Sequence, residues 1–226
     1  LAKDSTRMVI VTRGLSQKEE SFYRDSLERP AISGILAFDA VALIVNSHSK
    51  DTTMTMPEIQ ALLEGNDKKN RRAVMDGLSA TSTVRFAMDS ILKGKPLGKN
   101  VEAANSSPEV INYVASHDDA VGFIGVSWIG DEEDSVQLSF LQKVKVVAVE
   151  CAACEEKPFV QPFQANIVLR RYPMVRGLYY ILKENYSGIG NNFVNFLQNE
   201  RGQLIFRRSY LVPARMTFNI RDVQMR

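Results

Sequence analysis

A hydroxyl-rich loop holds the residues best suited to chemistry. Residues 76–83 read Asp-Gly-Leu-Ser-Ala-Thr-Ser-Thr, and apolar residues at spacings of three and four begin at Val84, so the loop opens directly into a predicted helix. The first amides of a helix are unpaired and carry about half a positive charge, which suits them to binding an anion. Arg85 adds a forked pair of donors that matches an oxyanion. The predicted anion-binding hydroxyls are those of Ser79, Thr81, Ser82 and Thr83.

These residues also allow a simpler interpretation, in which Thr81 or Ser82 only caps the helix and Arg85 is a solvated side chain. The dipeptide Thr12-Arg13, which follows the first predicted strand, is ambiguous in the same way. Ligands bind at the carboxyl ends of parallel strands in α/β sheets, which makes Thr12 and Arg13 a second candidate contact. An exposed loop arginine is the alternative, and the residues alone leave both open.

Cys151 and Cys154 form a lone C-x-x-C motif. A zinc site needs a second such pair or closely placed histidines, and His48 and His117 lie far away in the sequence, so we predict no metal site. A redox-active pair is a further interpretation, but the two glutamates that follow Cys154 would raise the thiol pKa values and oppose reactivity. The motif favours a structural disulfide or two inert thiols over a thiol oxidoreductase.

The composition limits the classes of partner. The 226-residue chain has 28 basic and 26 acidic side chains and a formal net charge of +2. A surface built to hold nucleic acid needs a pronounced basic excess, so we expect no nucleic-acid partner and interpret the arginine-rich stretch after Glu200 as a solvated face. No nucleotide-binding, nucleophile-elbow, zinc-protease or paired-carboxylate pattern occurs in the sequence, so we expect no enzyme and no cofactor.

Strand and helix signals alternate along the chain, which predicts an α/β protein with a largely parallel sheet. The apolar run at 31–49 is predicted to be a buried strand through Val45 and not a membrane span, because Asp39 lies at its centre. The other predicted strands span residues 8–12, 72–75, 121–126, 144–149 and 179–182. The predicted helices begin after Ser16 and Thr55, at Val84, within residues 105–108 and at Asn191; the first ends near Leu27, the second at Gly65 and the last at Asn199.

The order of several short motifs resembles the periplasmic phosphate-binding proteins of ABC-type uptake systems, which have the type 2 periplasmic binding protein fold. The resemblance covers nearly the whole chain. Its strongest parts are Ala-Val-Gly-Phe-Ile-Gly at 120–125 and Tyr-Pro-Met-Val-Arg-Gly-Leu-Tyr at 172–179, similar to "a-I-G-Y-v" and "Y-P-l-s-R-p-l-y" in that family. Further matches are the segments 9–16, 38–46, 54–65 and 193–213.

The resemblance implies a two-lobed α/β fold with mixed and parallel sheets flanked by helices, and phosphate clamped between the lobes. Residues 1–42 and 172–226 would form lobe 1, which starts after the family's first strand and is therefore expected to be incomplete at the N-terminus, and residues 43–171 would form lobe 2. The family's ligand loop falls on Thr81-Ser82-Thr83, with Arg85 in the following turn. Selecting hydrogen phosphate over sulfate requires an acceptor for the ligand's proton, and Asp39 and Asp76 are both candidates.

The partners implied by the resemblance are inorganic phosphate and the permease subunits of an ABC transporter. The protein is then expected to be a monomer that acts in the periplasm or cell envelope, with a lipid anchor as one way of holding it there. The alternative is a sensor or scaffold domain that has the same fold without a transport role.

Overall fold

The computed structural model describes residues 6–27, 30–78, 81–131, 133–184 and 187–215. The chain divides into two compact units, the first made of Leu1–Phe38 and Gly177–Arg226 and the second of Asp39–Arg176. The predicted lobe boundaries, after residues 42 and 171, stay a prediction. In chain order the regular elements are β1 (Met8–Val11), α1 (Gln17–Leu27), β2 (Ile32–Asn46), β3 (Thr53–Met54), α2 (Met56–Glu64), β4 (Arg72–Met75), α3 (Ser82–Phe86), β5 (Val101–Ala103), α4 (Ser107–Ser116), β6 (Ala120–Gly125), α5 (Ser135–Leu141), β7 (Val144–Val146), β8 (Ala148–Glu150), β9 (Phe159–Val160), α6 (Gln164–Val168), β10 (Val175–Leu182), α7 (Ile189–Gln198), α8 (Glu200–Arg208) and β11 (Val212–Pro213).

The first unit combines both ends of the chain. β1 pairs antiparallel with β10, placing Met8 opposite Leu182, and β11 pairs antiparallel with β2. Its apolar core joins strand residues to the inward faces of α7 and α8; the buried members include Leu36, Leu182, Val194, Leu197 and Phe206. The predicted inward positions of the helix near residue 191, Val194 and Leu197, are confirmed.

The second unit is built around helix α4 and the central strand β6. β2 and β6 run antiparallel, whereas β4 lies parallel to both β5 and β6. α4 contributes Val110, Ile111 and Val114 to the core, and β6 contributes Ile124. A separate three-stranded sheet in this unit has the order β3-β8-β9.

The sheet is mixed and not largely parallel as the alternation of elements suggested. β4 pairs parallel with β5 and with β6, and helical segments between these strands return the chain to the same end of the sheet: α3 lies between β4 and β5, and α4 between β5 and β6. β2 runs through 15 residues and meets β6 and β7 antiparallel. Within the described ranges, no helix is both long enough and apolar enough to cross a bilayer.

Capping residues placed several helix boundaries correctly. Ser16 and Glu19 form the predicted reciprocal cap of α1, Thr55 and Glu58 form that of α2, and Ser106 caps α4. Gly65 ends α2 with φ of 80°, a conformation that favours glycine.

Other boundaries differ from the sequence predictions. The predicted strand at 144–149 is two strands, because the chain breaks at Val147, whose amide donates to Leu43 O of β2 at 2.9 Å. β10 begins at Val175, earlier than the predicted Tyr179. The helix predicted from Val84 starts at Ser82 and turns into a π-helical segment at Ala87–Ile91.

Candidate functional site

The hydroxyl-rich loop leads from β4 into α3. Thr81 caps this helix: its backbone is extended, with φ of −77° and ψ of 158°, and its Oγ1 accepts a hydrogen bond from the amide of Val84 at 3.4 Å. Ser82 and Thr83 therefore occupy the first helical turn and not the loop, which corrects the predicted boundary. Thr83 is almost fully buried. The structure brings Thr81, Ser82 and Thr83 to one helix terminus, whereas Ser79 lies outside the described residues.

Arg85 also lies on α3, but its side chain is exposed to solvent. This placement agrees with the alternative of a solvated arginine at the end of a short helix. Its assignment as a ligand contact stays a prediction.

Asp76 is the first residue after β4 and carries an unusual carboxylate. Its Oδ1 is shielded from solvent and has no hydrogen-bond partner. Buried polar atoms are nearly always paired, because leaving one unpaired forfeits the free energy of its hydration. Gly77, which follows with φ of 116°, turns the chain so that it leads toward Thr81. Asp76 thus presents a free acceptor in the loop that leads to the α3 terminus.

Thr12 and Arg13 lie in the other unit, in the turn between β1 and α1. Arg13 is engaged within its own chain: Nη1 and Nη2 donate to the two carboxylate oxygens of Glu19 at 2.7 and 2.8 Å. The Arg13 hydrogen bonds, followed by the Ser16 amide, lower the pKa of Glu19 to about 2. Arg13 therefore already serves to hold the start of α1, and its role as a ligand contact stays a prediction.

A buried ion pair joins the two ends of the second unit. Asp39 is its first residue and Arg176 its last, and both side chains are about nine-tenths buried. Arg176 donates to Asp39 Oδ2 from Nε at 2.8 Å and from Nη2 at 2.6 Å, while Asp39 Oδ1 accepts from the amide of Ala40 at 2.8 Å. Arg176 Nη1 is buried and has no partner. Both carboxylate oxygens of Asp39 thus accept hydrogen bonds, whereas one nitrogen of Arg176 has no acceptor.

Sequence reasoning did not assign Arg176 to the site, although it lies in one of the resembling motifs. The feature of the sequence that could have indicated a buried arginine was Asp39, a carboxylate at the centre of an apolar strand. Burying a charge is costly unless a counter-charge accompanies it, so such a residue calls for a buried cation. Arg176 lies 137 residues away in the sequence, and nothing local indicates which cation that is.

The parallel strands β4 and β6 of the second unit end beside Asp76 and the Asp39–Arg176 pair. Met75 of β4 lies opposite Phe123 of β6, so the chain leaves β4 at Asp76 and β6 at Gly125 on the same edge of the sheet. A Cβ atom built on Gly125 would lie 3.6 Å from Arg176 Nη2 and 3.8 Å from Asp39 Oδ2. This carboxyl edge is where open α/β sheets bind ligands.

Cys151 and Cys154 are joined by a disulfide in the loop between β8 and β9 and are not two free thiols. The structural role of this disulfide stays a prediction. Among the described residues, no group of three or more His, Cys, Asp and Glu side chains is placed to hold a metal ion.

These features define a class of protein: a two-unit α/β fold whose first unit is assembled from both ends of the chain, with unpaired polar groups at a sheet edge of the second. Residues 1–201 match the PBP superfamily domain, and the chain therefore belongs to the PBP superfamily. The predicted type 2 periplasmic binding protein-like fold is confirmed. No protein with a curated description matches the sequence.

Several solved structures share the fold at low sequence identity. One is described as a phosphate ABC transporter substrate-binding protein with bound phosphate, from Clostridium perfringens: it has a TM-score of 0.72 and 20% identity over 94% of this chain and 81% of that one. An ABC-type phosphate transport receptor from Vibrio cholerae has a TM-score of 0.70 and 19% identity, covering 94% and 82%. The regulatory domain of a LysR-family regulator from N. meningitidis has a TM-score of 0.57 and 11% identity, covering 94% and 79%.

Proposed function

We propose that this chain is an extracytoplasmic solute-binding protein that captures inorganic phosphate, or a similar tetrahedral oxyanion, and delivers it to an ABC permease. Membership of the PBP superfamily supports a binding protein and not an enzyme. The names of the two similar structures from C. perfringens and V. cholerae support phosphate and ABC transport. No bond of the ligand is made or broken in this function.

The observation that carries the proposal is the free acceptor of Asp76. Near neutral pH, phosphate retains at least one proton, whereas sulfate has none. A carboxylate oxygen without a partner accepts the proton of hydrogen phosphate, but it meets sulfate as an unpaired repulsive contact. Asp39, the other candidate acceptor, is already occupied by Arg176 and the Ala40 amide. Asp76 is therefore the acceptor that we assign.

The hydroxyls at the start of α3 supply the complementary donors. Ser82 is partly exposed in the first turn, next to the amides that no helical carbonyl pairs. Charge-assisted hydrogen bonds from such donors are strong where water is excluded. Thr12, Arg13 and Arg85 remain proposed additional contacts.

The proposal is tested by isothermal titration of the full chain with phosphate and with sulfate, in the parent and in the Asp76→Asn variant. The parent is expected to bind phosphate more tightly than sulfate. The neutral amide of the variant cannot accept the ligand's proton as a carboxylate does, so its phosphate affinity falls about 10- to 100-fold, while its sulfate affinity is unchanged or higher.

Asp89→Asn is the matched control, because Asp89 is an exposed carboxylate on the helical segment after α3. It should leave both affinities unchanged. A parent that gives no heat with either anion would refute oxyanion binding. An Asp76→Asn variant that keeps the parent's preference for phosphate would refute the assignment of Asp76.

A second candidate function is a sensor that binds the same ligand without delivering it. It is favoured by one observation, the shared fold of the LysR-family regulatory domain from N. meningitidis. Genes for a permease and an ATPase next to the gene for this chain would support transport. Their absence from that neighbourhood, together with measured phosphate binding, would support sensing.

A further inference from the structure

We propose that a small niche above Gly125, rimmed by Arg176, Ser127 and Asp39, is a second donor subsite that receives one oxygen of the bound oxyanion. The inference rests on the proposed function, because it concerns the same ligand. It assigns ligand contacts to Arg176 and Ser127, which neither the sequence motifs nor the hydroxyl loop indicated. All four residues belong to the second unit.

The first step is the hydrogen-bonding capacity of Arg176. A guanidinium has five N–H donors, arranged so that it can present one fork through Nε and Nη2 and another through Nη1 and Nη2. Asp39 Oδ2 takes the first fork, at 2.8 and 2.6 Å. In the second fork, Nη1 is buried and has no acceptor. A buried charged donor without a partner is costly, which is a reason to expect a ligand there.

The second step is the space next to Nη2, the nitrogen that the two forks share. Gly125 ends β6, and a Cβ atom placed on it would lie 3.6 Å from Arg176 Nη2, 3.7 Å from Ser127 Oγ and 3.8 Å from Asp39 Oδ2. Three polar atoms therefore surround a point that the glycine leaves empty. The Gly125 backbone has φ of −68° and ψ of 141°, which any residue adopts, so the glycine is not needed for conformation.

The third step is the chemistry of the rim. Arg176 and the hydroxyl of Ser127 are both hydrogen-bond donors. Asp39 Oδ2 accepts from Arg176, and this ion pair offsets the negative charge of the Asp39 carboxylate. The niche thus favours an acceptor of the size of one oxygen atom. Asp39 is a positioning residue here, because it fixes the guanidinium through one fork and leaves the other for the ligand.

The niche is tested by titrating phosphate into the full chain carrying Gly125→Ala or Ser127→Ala. The alanine methyl group fills the niche at ordinary contact distances and restricts the unfolded chain, so Gly125→Ala should keep or slightly raise the melting temperature. Its phosphate affinity is expected to fall at least tenfold. Ser127→Ala loses one hydrogen bond to a charged ligand and should bind about tenfold more weakly.

The matched control is Ser116→Ala, which removes an exposed hydroxyl bonded to Asn112 O in α4 and should bind phosphate like the parent. Trp128, the single tryptophan, directly follows Ser127, so its fluorescence provides a second measure of binding. Parent-like phosphate affinity in both niche variants would overturn this inference and leave the proposed function standing. A parent that binds neither phosphate, arsenate nor sulfate would overturn both.

Discussion

The parallel strands β4, β5 and β6 of the second unit begin at one edge of the sheet, the amino edge, and end at the other, the carboxyl edge. The two edges differ in whether their charged side chains are fully paired. At the carboxyl edge, Asp76 Oδ1 and Arg176 Nη1 are buried and unpaired. At the amino edge, Arg71 and Arg72 both have carboxylate partners. Since the two edges share the same strands, we infer separate roles for them: the amino edge stabilises the unit, and the carboxyl edge is the proposed ligand-binding edge.

The amino edge is saturated by two arginines. Arg71 is buried and donates to both oxygens of Asp67, from Nε at 3.0 Å and from Nη2 at 2.7 Å. Arg72 donates to both oxygens of Asp119 at 2.8 and 2.7 Å. Such forked pairs satisfy the arginine without any outside group.

One amino-edge atom departs from this pattern. Asn100 Oδ1 is buried without a partner, although the Asn100 amide donates to Leu62 O and Arg71 O. This oxygen belongs to a neutral amide, and an unpaired neutral group costs less than an unpaired charged one. The comparison therefore concerns charged groups, for which an unpaired buried atom is the stronger indication of a ligand.

The largest predicted effect comes from breaking the amino edge with Arg71→Met. Asp67, whose side chain is 6% exposed, would lose its buried counter-charge. Removing one member of a buried pair typically costs about 3–5 kcal/mol, so we expect the free energy of unfolding in urea to fall by about that amount. Phosphate affinity of the folded protein should not change.

Lys69→Met is the control for this prediction, because Lys69 is an exposed partner of Asp51. Its effect on the free energy of unfolding should be under about 1 kcal/mol. If Arg71→Met reduced phosphate affinity and left the stability intact, the division of roles between the two edges would be wrong.

The same contrast explains what the sequence could reveal. Features whose hydrogen-bond partners are close in the sequence could be predicted. The Ser16–Glu19 and Thr55–Glu58 caps each join residues three positions apart, and both are present as predicted. The start of α3 was misplaced by two residues because three consecutive hydroxyl residues could each cap it, and Thr81 does so. β5 and α8 were not predicted: β5 has only three residues, and α8 follows α7 after a single residue.

The candidate site was predictable only in part. The hydroxyl loop was found because its residues are contiguous and precede an apolar helical pattern. The choice between Asp39 and Asp76 was not possible from the sequence, because it depends on which carboxylate meets Arg176. The niche at Gly125 likewise depends on Asp39 and Arg176, which both lie far from Gly125 in the sequence.

A smaller effect is expected for Tyr113→Phe, which tests whether the Arg72 cluster at the amino edge is structural. The Tyr113 hydroxyl accepts from Arg72 and donates to Glu102. Its loss should lower the free energy of unfolding by about 1 kcal/mol, without a change in phosphate affinity.

The pH dependence of this variant follows from the pKa of Tyr113. The hydrogen bond to Glu102, together with burial, raises the pKa of the phenol above its usual value near 10. A raised pKa means that the protonated phenol stabilises the folded state fully below about pH 10, and that this contribution is lost as the pH rises through the folded-state pKa. The stability difference between parent and Tyr113→Phe should therefore be constant from neutral pH to about pH 10 and decrease above it. A difference that already disappears near neutral pH would contradict the assigned hydrogen bond.

The smallest effect is expected for Glu19→Gln, which extends the comparison to the first unit. Arg13 and Glu19 form a saturated pair like those of the amino edge, but both side chains are largely exposed, at 47% and 39%. Exposed pairs contribute little, so the free energy of unfolding should fall by under about 1 kcal/mol at neutral pH. Because the pKa of Glu19 is lowered to about 2, the contribution is complete above the unfolded value near 4.5 and is lost as the pH falls toward 2. Carboxyl NMR shifts of Glu19 followed from neutral to acid pH measure this directly, and a midpoint near 4.5 would show that Arg13 is not paired with Glu19.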